Sequence, residues 1–375
     1  MKATIKILGL LSMLLLVLNA KAQFEKRTNP ALYTQPVMKA IAYGITAPNA
    51  HNTQMWFVDT LSATEMLLYV NHCLPETDPP ARQQIISAGC FIELVAVGMS
   101  NEGYETKVEY LPYGDYAVEK NKLGVKPVAK ITLLKNAGIK KEDLFSFIDQ
   151  RQSNRRPFEG EMITDGEFDE IKKLIGPTHS EMIFINHSEK MKPYLDIFYK
   201  AMEIESRNVA TNEETRKNFR FSEAEREQKK DGLSLPQSGV DGFILKMAEK
   251  SYKDGDSAIW QSDKMIKATM KNIGESVYSA KGLIFFKTST NTKLDWLETG
   301  RDFVRYNLAI VKLGLATSHY NQVIQEYSEM KDLQKEFDTF TNTKNEEKIQ
   351  VIVRIGRAKP AYKSWRRNAE DFIMK

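Results

Sequence analysis

Two short segments of this chain carry residue types that could do chemistry. The first runs Ala47-Pro48-Asn49-Ala50-His51-Asn52-Thr53-Gln54-Met55-Trp56. Small and amide residues dominate it, and His51 is its one group titratable near neutrality. Such a loop offers backbone N–H groups and neutral side-chain donors. Those groups suit a flat heteroaromatic ring better than a nucleophile or a metal. The other reading is a polar turn, since Pro and Asn are common turn residues. The second segment runs Arg151-Gln152-Ser153-Asn154-Arg155-Arg156-Pro157-Phe158. Arg151, Ser153 and Arg155 put two guanidiniums and a hydroxyl within five residues, a set that can clamp a phosphate. Read alone, it is equally a solvated basic turn ahead of a helix.

Other chemistries find little support. His51, His72, His179, His187 and His319 are scattered, and no Cys/His cluster has metal-ligand spacing. Cys73 and Cys90 are the only cysteines, with very different neighbours, so no disulfide framework is expected, and whether the two pair stays open. Lys and Arg number 53 against 49 Asp and Glu, and the two signs are interspersed. No basic stripe with interleaved aromatics appears, so nucleic acid is not expected as a partner.

The elements that must position the two segments can be read from periodicity. Residues 34–45 read as a helix, with Thr34 as N-cap, Pro36 in the first turn, and Val37, Ile41 and Ile45 on one face. Strands are expected at 55–59, 66–70, 107–111 and 128–134, and a mostly apolar, fully buried helix at 85–99. A second unit opens with a short helix at 141–149. Thr164-Asp165-Gly166-Glu167 is a capping box that starts a helix carrying Phe168, Ile171, Leu174 and Ile175, which ends at Gly176-Pro177 before a strand at 182–186. The stretches 34–48 and 164–177 thus share one plan: helix, Pro, polar turn, strand. This weak repeat suggests two like halves about a pseudo-two-fold axis. Residues 203–232 are charged and read as a solvated helix or connector. Residues 232–287 are irregular and amphipathic and read as a lid or inserted subdomain. A long helix at 296–313, an apolar β run at 349–355 and a basic tail at 363–367 close the chain.

The first residues read as an export signal. Lys2 and Lys6 give a positive start, 7–18 is an apolar run too short to span a bilayer, and Ala20-Lys21-Ala22 is a cleavage site. The mature chain then begins at Gln23, without a stable membrane anchor, and is expected in the periplasm.

The two segments together resemble the signatures of the nitroreductase-like FMN-binding family. The first resembles its A-P-S-x-x-N-x-Q-P-W loop, which holds the flavin ring, and the second its R-x-S-x-R, which binds the FMN phosphate. Their reversed order resembles the Acg-type branch, which looks like two fused nitroreductase halves carrying one flavin. Asp78 to Arg82 leading into Ile86-Ser87-Ala88-Gly89 resembles the branch's D-x-x-x-R-x-x-x-I-S-x-G motif. Leu313 to Ser318 resembles its G-L-A-T-S turn, and Arg354, Gly356, Arg366 and Arg367 fall on its terminal L-R-x-G and P-R-R. Asn49 stands where Ser is usual, Met55 where Pro is, His319 where Pro is frequent, and Trp365 replaces the Pro before the two Arg.

The resemblance implies an α+β, nitroreductase-like fold of two pseudo-symmetric halves, with antiparallel-rich sheets flanked by helices and a lid insertion. The leader occupies 1–22, the halves 23–140 and 141–375, and the insertion about 205–287. It implies FMN, held by Pro48, Asn49, Asn52, Gln54, Arg151, Ser153, Arg155, Thr317, Ser318, Arg366 and Arg367. The expected activity passes a hydride through flavin to a nitro-aromatic, quinone or similar small acceptor, in a monomer (a pseudo-dimer) or a homodimer. No side chain is singled out as catalytic, and no metal is expected. Two further readings are a protein that sequesters or carries flavin under a sealing lid, and a flavin-free interaction protein, against which the retained Arg151, Ser153 and Arg155 argue.

Overall fold

The computed structural model describes residues 26–252 and 255–375. The leader read at 1–22 lies outside the described residues. Helix α1 (Pro36–Gly44) leads into a hairpin of β1 (Trp56–Thr60) and β2 (Glu65–Val70). Helix α2 (Arg82–Asn101) follows, then β3 (Tyr104–Tyr110) and β4 (Ala129–Lys135). These strands form one antiparallel sheet in the order β1-β2-β4-β3.

The same succession then repeats with one large interruption. Helix α3 (Asp165–Ile175) precedes β5 (Glu181–Ile185). Before β6 (Gly282–Thr288) come α4 (Ser188–Arg207), α5 (Val209–Lys217), α6 (Glu223–Lys229), α7 (Gly242–Ser251), α8 (Ser257–Trp260) and α9 (Asp263–Val277). Helix α10 (Lys293–Lys312), β7 (Ala316–His319), helix α11 (Lys331–Phe340) and β8 (Lys348–Gly356) complete the chain. The second sheet runs β5-β6-β8-β7, also antiparallel, with the strand order of the first. The chain between β5 and β6 replaces what is a tight turn between β1 and β2.

The architecture is α+β, with two antiparallel sheets and the long helices α2 and α10 packed between them. Apolar residues of α1, α2, β2, β4, β6, β8 and α10 join in one core. Helix α2 is long and apolar enough to cross a membrane, but 89% of its apolar window is buried in that core. The second sheet is covered on both faces. Ile284 and Phe286 of β6 face the main core, while Leu283 and Phe285 face a second cluster with α4 and α11. Phe219, Phe221 and Tyr252 form a third, separate cluster with Trp260 and Leu235 packed on it.

Several local expectations change. Residues 141–149 hold only a short 3-10 turn, Phe145–Phe147, in place of a helix. Thr34 does not cap α1. Gln35 holds that position without a side-chain bond, whereas Thr164 forms the full capping box with Glu167. The stretch 232–287 contains ordered helices and, at its end, the central strand β6. That strand has no alternation to detect because both its faces are buried. Cys73 and Cys90 are both free.

Candidate functional site

The loop 47–54 is held in an uncommon shape. His51, Asn52 and Gln54 all sit in the left-handed region, with φ of 49°, 54° and 52°. Each such residue costs energy and persists only where its surroundings hold it there, as they do here. Asn49 Oδ1 accepts from the Gln54 N–H at 2.8 Å. Arg366 Nη1 donates to Asn52 Oδ1 at 2.7 Å, and Asn52 Nδ2 donates to the Gly232 carbonyl at 3.1 Å. Gln54 is fully buried, and its amide bridges the Lys230 carbonyl and the Arg367 N–H.

The 151–156 segment is fixed with equal firmness. Asn154 N–H donates to the Thr317 carbonyl at 2.8 Å. Arg354, fully buried and stacked 3.6 Å over the Phe158 ring, donates to the Asn154 and Arg156 carbonyls at 3.2 and 2.6 Å. Ser276 Oγ donates to the Arg155 carbonyl at 2.9 Å and accepts from the Tyr320 hydroxyl. Backbone on both sides of Arg155 is therefore anchored, while its side chain stays available.

Two adjoining cavities open between these loops. A chamber of about 290 Å³ is lined by Pro48, Asn49, His51, Cys90, Arg155, Phe303, Ser318 and His319, among others. Phe219, Leu235, Val240, Tyr252, Trp260 and Ile273, from the chain between β5 and β6, line it as well. A smaller annex of about 50 Å³ is lined by Arg27, Pro48, Asn49, Asn52, Arg151, Ser153, Arg155 and Arg366. Pro48, Asn49 and Arg155 line both, so the annex is the basic end of the chamber.

The annex gathers four guanidiniums, and none is in an ion pair among the described residues. Burial pushes Arg27 down to about 10 and Arg151 down to about 9, with Arg27 itself depressing Arg151 further. Burial lowers Arg155 as well, and holds Arg366 well below its ordinary value together with Arg27 and Arg151. Arg151 gives one hydrogen bond, from Nη2 to the Thr46 carbonyl at 3.2 Å, and its Nε and Nη1 are buried without partners. Arg27 Nε and Nη1 are likewise buried and unpartnered. Unpaired buried cationic donors are costly, and a phosphate supplies the charge and acceptors they lack. The annex therefore fits a phosphate-bearing ligand.

Two imidazoles face the chamber beside this charge. His319 packs against Phe303, with ring centroids 4.8 Å apart. Burial, then Arg155 and Arg151, push it down to about 3. Burial and Arg155 push His51 down to about 4. Both rings are neutral near pH 7.

The expected site residues divide by position. Pro48, Asn49, Asn52, Arg151, Ser153, Arg155, Ser318 and Arg366 line one or both cavities. Arg366 is 5% exposed and also binds the Ile45 and Ala47 carbonyls, so it braces the ring loop from the annex. Gln54, Thr317 and Arg367 line neither cavity. Thr317 Oγ bonds the Arg354 carbonyl, and Arg367 bonds the Thr53 carbonyl and lies 4.7 Å over the Phe372 ring. Arg27 and His51 are additional. Arg27 stands far from any of the motif segments in sequence, so only the folded chain brings it to the annex.

No family model matches this chain, and no curated protein does. Among solved structures it is similar to an FMN-dependent nitroreductase from Mycobacterium smegmatis in complex with NADPH, at 13% identity and a TM-score of 0.34, over 56% of this chain and 85% of that one. It is similar to a nitroreductase with bound FMN from Bacteroides fragilis, at 10% identity and a TM-score of 0.32, over 58% and 90%. A nitroreductase-like protein from Bacillus cereus aligns at 13% identity and a TM-score of 0.33, over 61% and 92%. Likeness of this degree assigns no activity. The site's own chemistry has to carry that.

Proposed function

We propose that the protein is an exported, FMN-binding oxidoreductase of the nitroreductase type, with one flavin per chain. The observation that carries this is the four-arginine annex opening into an apolar chamber with an amide and imidazole rim. Arg27, Arg151 and Arg155 would hold the phosphate, Ser153 would fill a remaining acceptor site, and Arg366 would brace Asn52 and the ring loop. Pro48, Asn49 and the backbone of 48–52 would lie along the ring.

FMN, when bound, supplies hydride and electron transfer to a nitro-aromatic, quinone or similar acceptor. The chain's part is to orient the ring, exclude water and set the field around it. Neutral His319 and His51 keep added positive charge away from the ring wall while Arg155 faces the phosphate. Export is proposed from Lys2, Lys6, the apolar run at 7–18 and Ala20-Lys21-Ala22, and would place the mature protein in the periplasm.

A second reading is favoured by one observation: the residues from Phe219 to Ile273 wall the chamber and carry their own aromatic cluster. If that wall acts as a closed lid, the protein sequesters or carries flavin with little turnover. One experiment separates them. The mature protein is titrated with FMN and flavin fluorescence is followed, then the complex is mixed with NADPH or with dithionite. Quenching that saturates at one flavin per chain is expected, with reduction by NADPH and reoxidation by a nitro-aromatic. No saturable quenching would sink the flavin reading. Reduction by dithionite alone would favour sequestration.

A further inference from the structure

Helix α7 turns its apolar residues outward. Phe243 is 75% exposed, Ile244 70% and Met247 60%, while Leu245 and Ala248 are half-buried. At about 100° of rotation per residue, the three exposed residues fall within roughly 100° of arc. An isolated apolar side chain on a surface needs no explanation, but three on one face of one helix form a patch.

Charge around the patch narrows what can cover it. Lys246 and Lys250 are exposed and have no ion-pair partner among the described residues. By the same rotation they flank the Phe243 edge of the patch within about 60°. The acids of this segment are already neutralised. Glu249 is turned inward and accepts from Arg226 Nη1 at 2.7 Å. Asp241, just before the helix, accepts from Arg156 Nη2 at 2.8 Å. The outer face is thus apolar with a basic flank and no unpaired acid. Two copies meeting through this face would bring four lysines together with no carboxylate to receive them, which disfavours self-association. Apolar side chains beside unpaired lysines are instead the make-up of a helix that lies in a membrane interface, the apolar face in the acyl boundary and the ammonium groups among anionic headgroups.

We propose that α7 is a reversible docking face for an anionic phospholipid surface. Phe243, Ile244 and Met247 enter the interface, and Lys246 and Lys250 pair with lipid phosphates. Val240 and Tyr252 stand on either side of α7 in the chain and line the chamber. Docking therefore brings the chamber wall to the lipid, the phase in which an apolar electron acceptor concentrates. That consequence rests on the flavin reading; the docking itself does not.

The test is co-sedimentation of the full mature chain with vesicles of mixed phosphatidylglycerol and phosphatidylcholine, and with vesicles of phosphatidylcholine alone. Binding to the mixed vesicles is expected, falling as salt is raised, with far weaker binding to the neutral ones. Lys246→Gln with Lys250→Gln should weaken binding to the mixed vesicles roughly tenfold or more. Phe243→Ser with Ile244→Ser should weaken it by a similar factor. All four side chains are exposed, so unfolding midpoints should not move, and a loss of vesicle binding then reports the face itself. No sedimentation with the mixed vesicles at low salt, or parental binding by both double variants, overturns the inference. So does a concentration-dependent dimer in sedimentation velocity that Phe243→Ser with Ile244→Ser abolishes, since it gives the face to a second copy. Vesicle binding by a protein that takes no FMN supports the docking face and removes only the flavin reading.

Discussion

Gly89 of α2 and Gly300 of α10 meet backbone to backbone. A Cβ on Gly89 would lie 1.9 Å from the Leu297 carbonyl oxygen, and a Cβ on Gly300 would lie 2.0 Å from that of Ile86 and 2.9 Å from the Gly89 Cα. The atoms in the way are main chain, which cannot rotate aside. The crossing sets how the helices present Ile86, Ser87 and Cys90 on one side and Phe303 on the other to the chamber. Gly300→Ala should therefore cost about 3 kcal/mol or more by thermal or urea unfolding, at the upper end for overpacking. Any flavin binding should weaken with it. A variant of unchanged stability would mean that the helices can slide apart.

Arg155 lines both cavities and makes no side-chain hydrogen bond to the described protein, so its free role is toward a ligand. Arg155→Ala should weaken FMN by about 1.5–3 kcal/mol, roughly tenfold or more in Kd, because a charged hydrogen bond to phosphate is lost. Riboflavin, which lacks the phosphate, should bind both proteins alike. Fluorescence quenching with the two ligands measures the contrast, and an equal loss for riboflavin would reassign Arg155 to the ring.

Arg354 shows how a positioning residue differs from a ligand-binding one. It lines neither the chamber nor the annex, yet its guanidinium holds the Asn154 and Arg156 carbonyls and the Ser279 hydroxyl while stacking on Phe158. Arg354→Met keeps the bulk and leaves those carbonyls unpaired, at a cost of about 2–5 kcal/mol. FMN and riboflavin should both suffer, because the whole 151–156 segment loosens. A loss confined to FMN would place Arg354 on the phosphate instead.

What was legible in the sequence follows from how local each signal is. The capping box at Thr164 and Glu167 is complete within four residues, and the amphipathic face of α3 follows it. Both cavity-lining loops stand out in the sequence by residue type alone. Strand β6 was not, because a strand buried on both faces gives an unbroken apolar run with no period. Arg27 carries no local pattern at all. Its meeting with Arg151 and Arg366 is a product of the fold. Gln54 and Arg367 illustrate the converse. Each stands in a motif, yet the structure pairs Gln54 Oε1 with the Arg367 N–H at 2.9 Å, away from either cavity.

Glu205 gives a pH dependence of defined sign. Its folded value of about 7 lies above the ordinary 4.5, so the native state holds a proton that the unfolded chain has released. Its contribution to stability therefore falls as pH rises from 4.5 to 7, by up to about 3 kcal/mol. Glu205→Gln should flatten that window and leave the variant more stable than the parent at pH 8. Denaturant unfolding at pH 5, 6, 7 and 8 checks it, and parallel curves for the two proteins would remove Glu205 as the source.

His51 and His319 titrate with the opposite sign, and this separates them from Glu205. Burial and Arg155 hold them at about 4 and about 3, below the ordinary 6.5. Unfolding takes up protons, so the stability tied to these rings is complete above 6.5 and is lost as pH falls through their folded values. A phosphate in the annex would offset the field of Arg155 and, for His319, of Arg151, and raise both rings without undoing their burial. Imidazole carbon–proton resonances followed by nuclear magnetic resonance should show neither ring titrating above about pH 5 in the ligand-free protein. Saturating FMN should move both midpoints up while leaving them below 6.5. Arg155→Ala should move them up in the free protein and shrink the further rise on adding FMN. Midpoints at the ordinary value in the free protein would show that water reaches the chamber freely, and would count against an enclosed ring site.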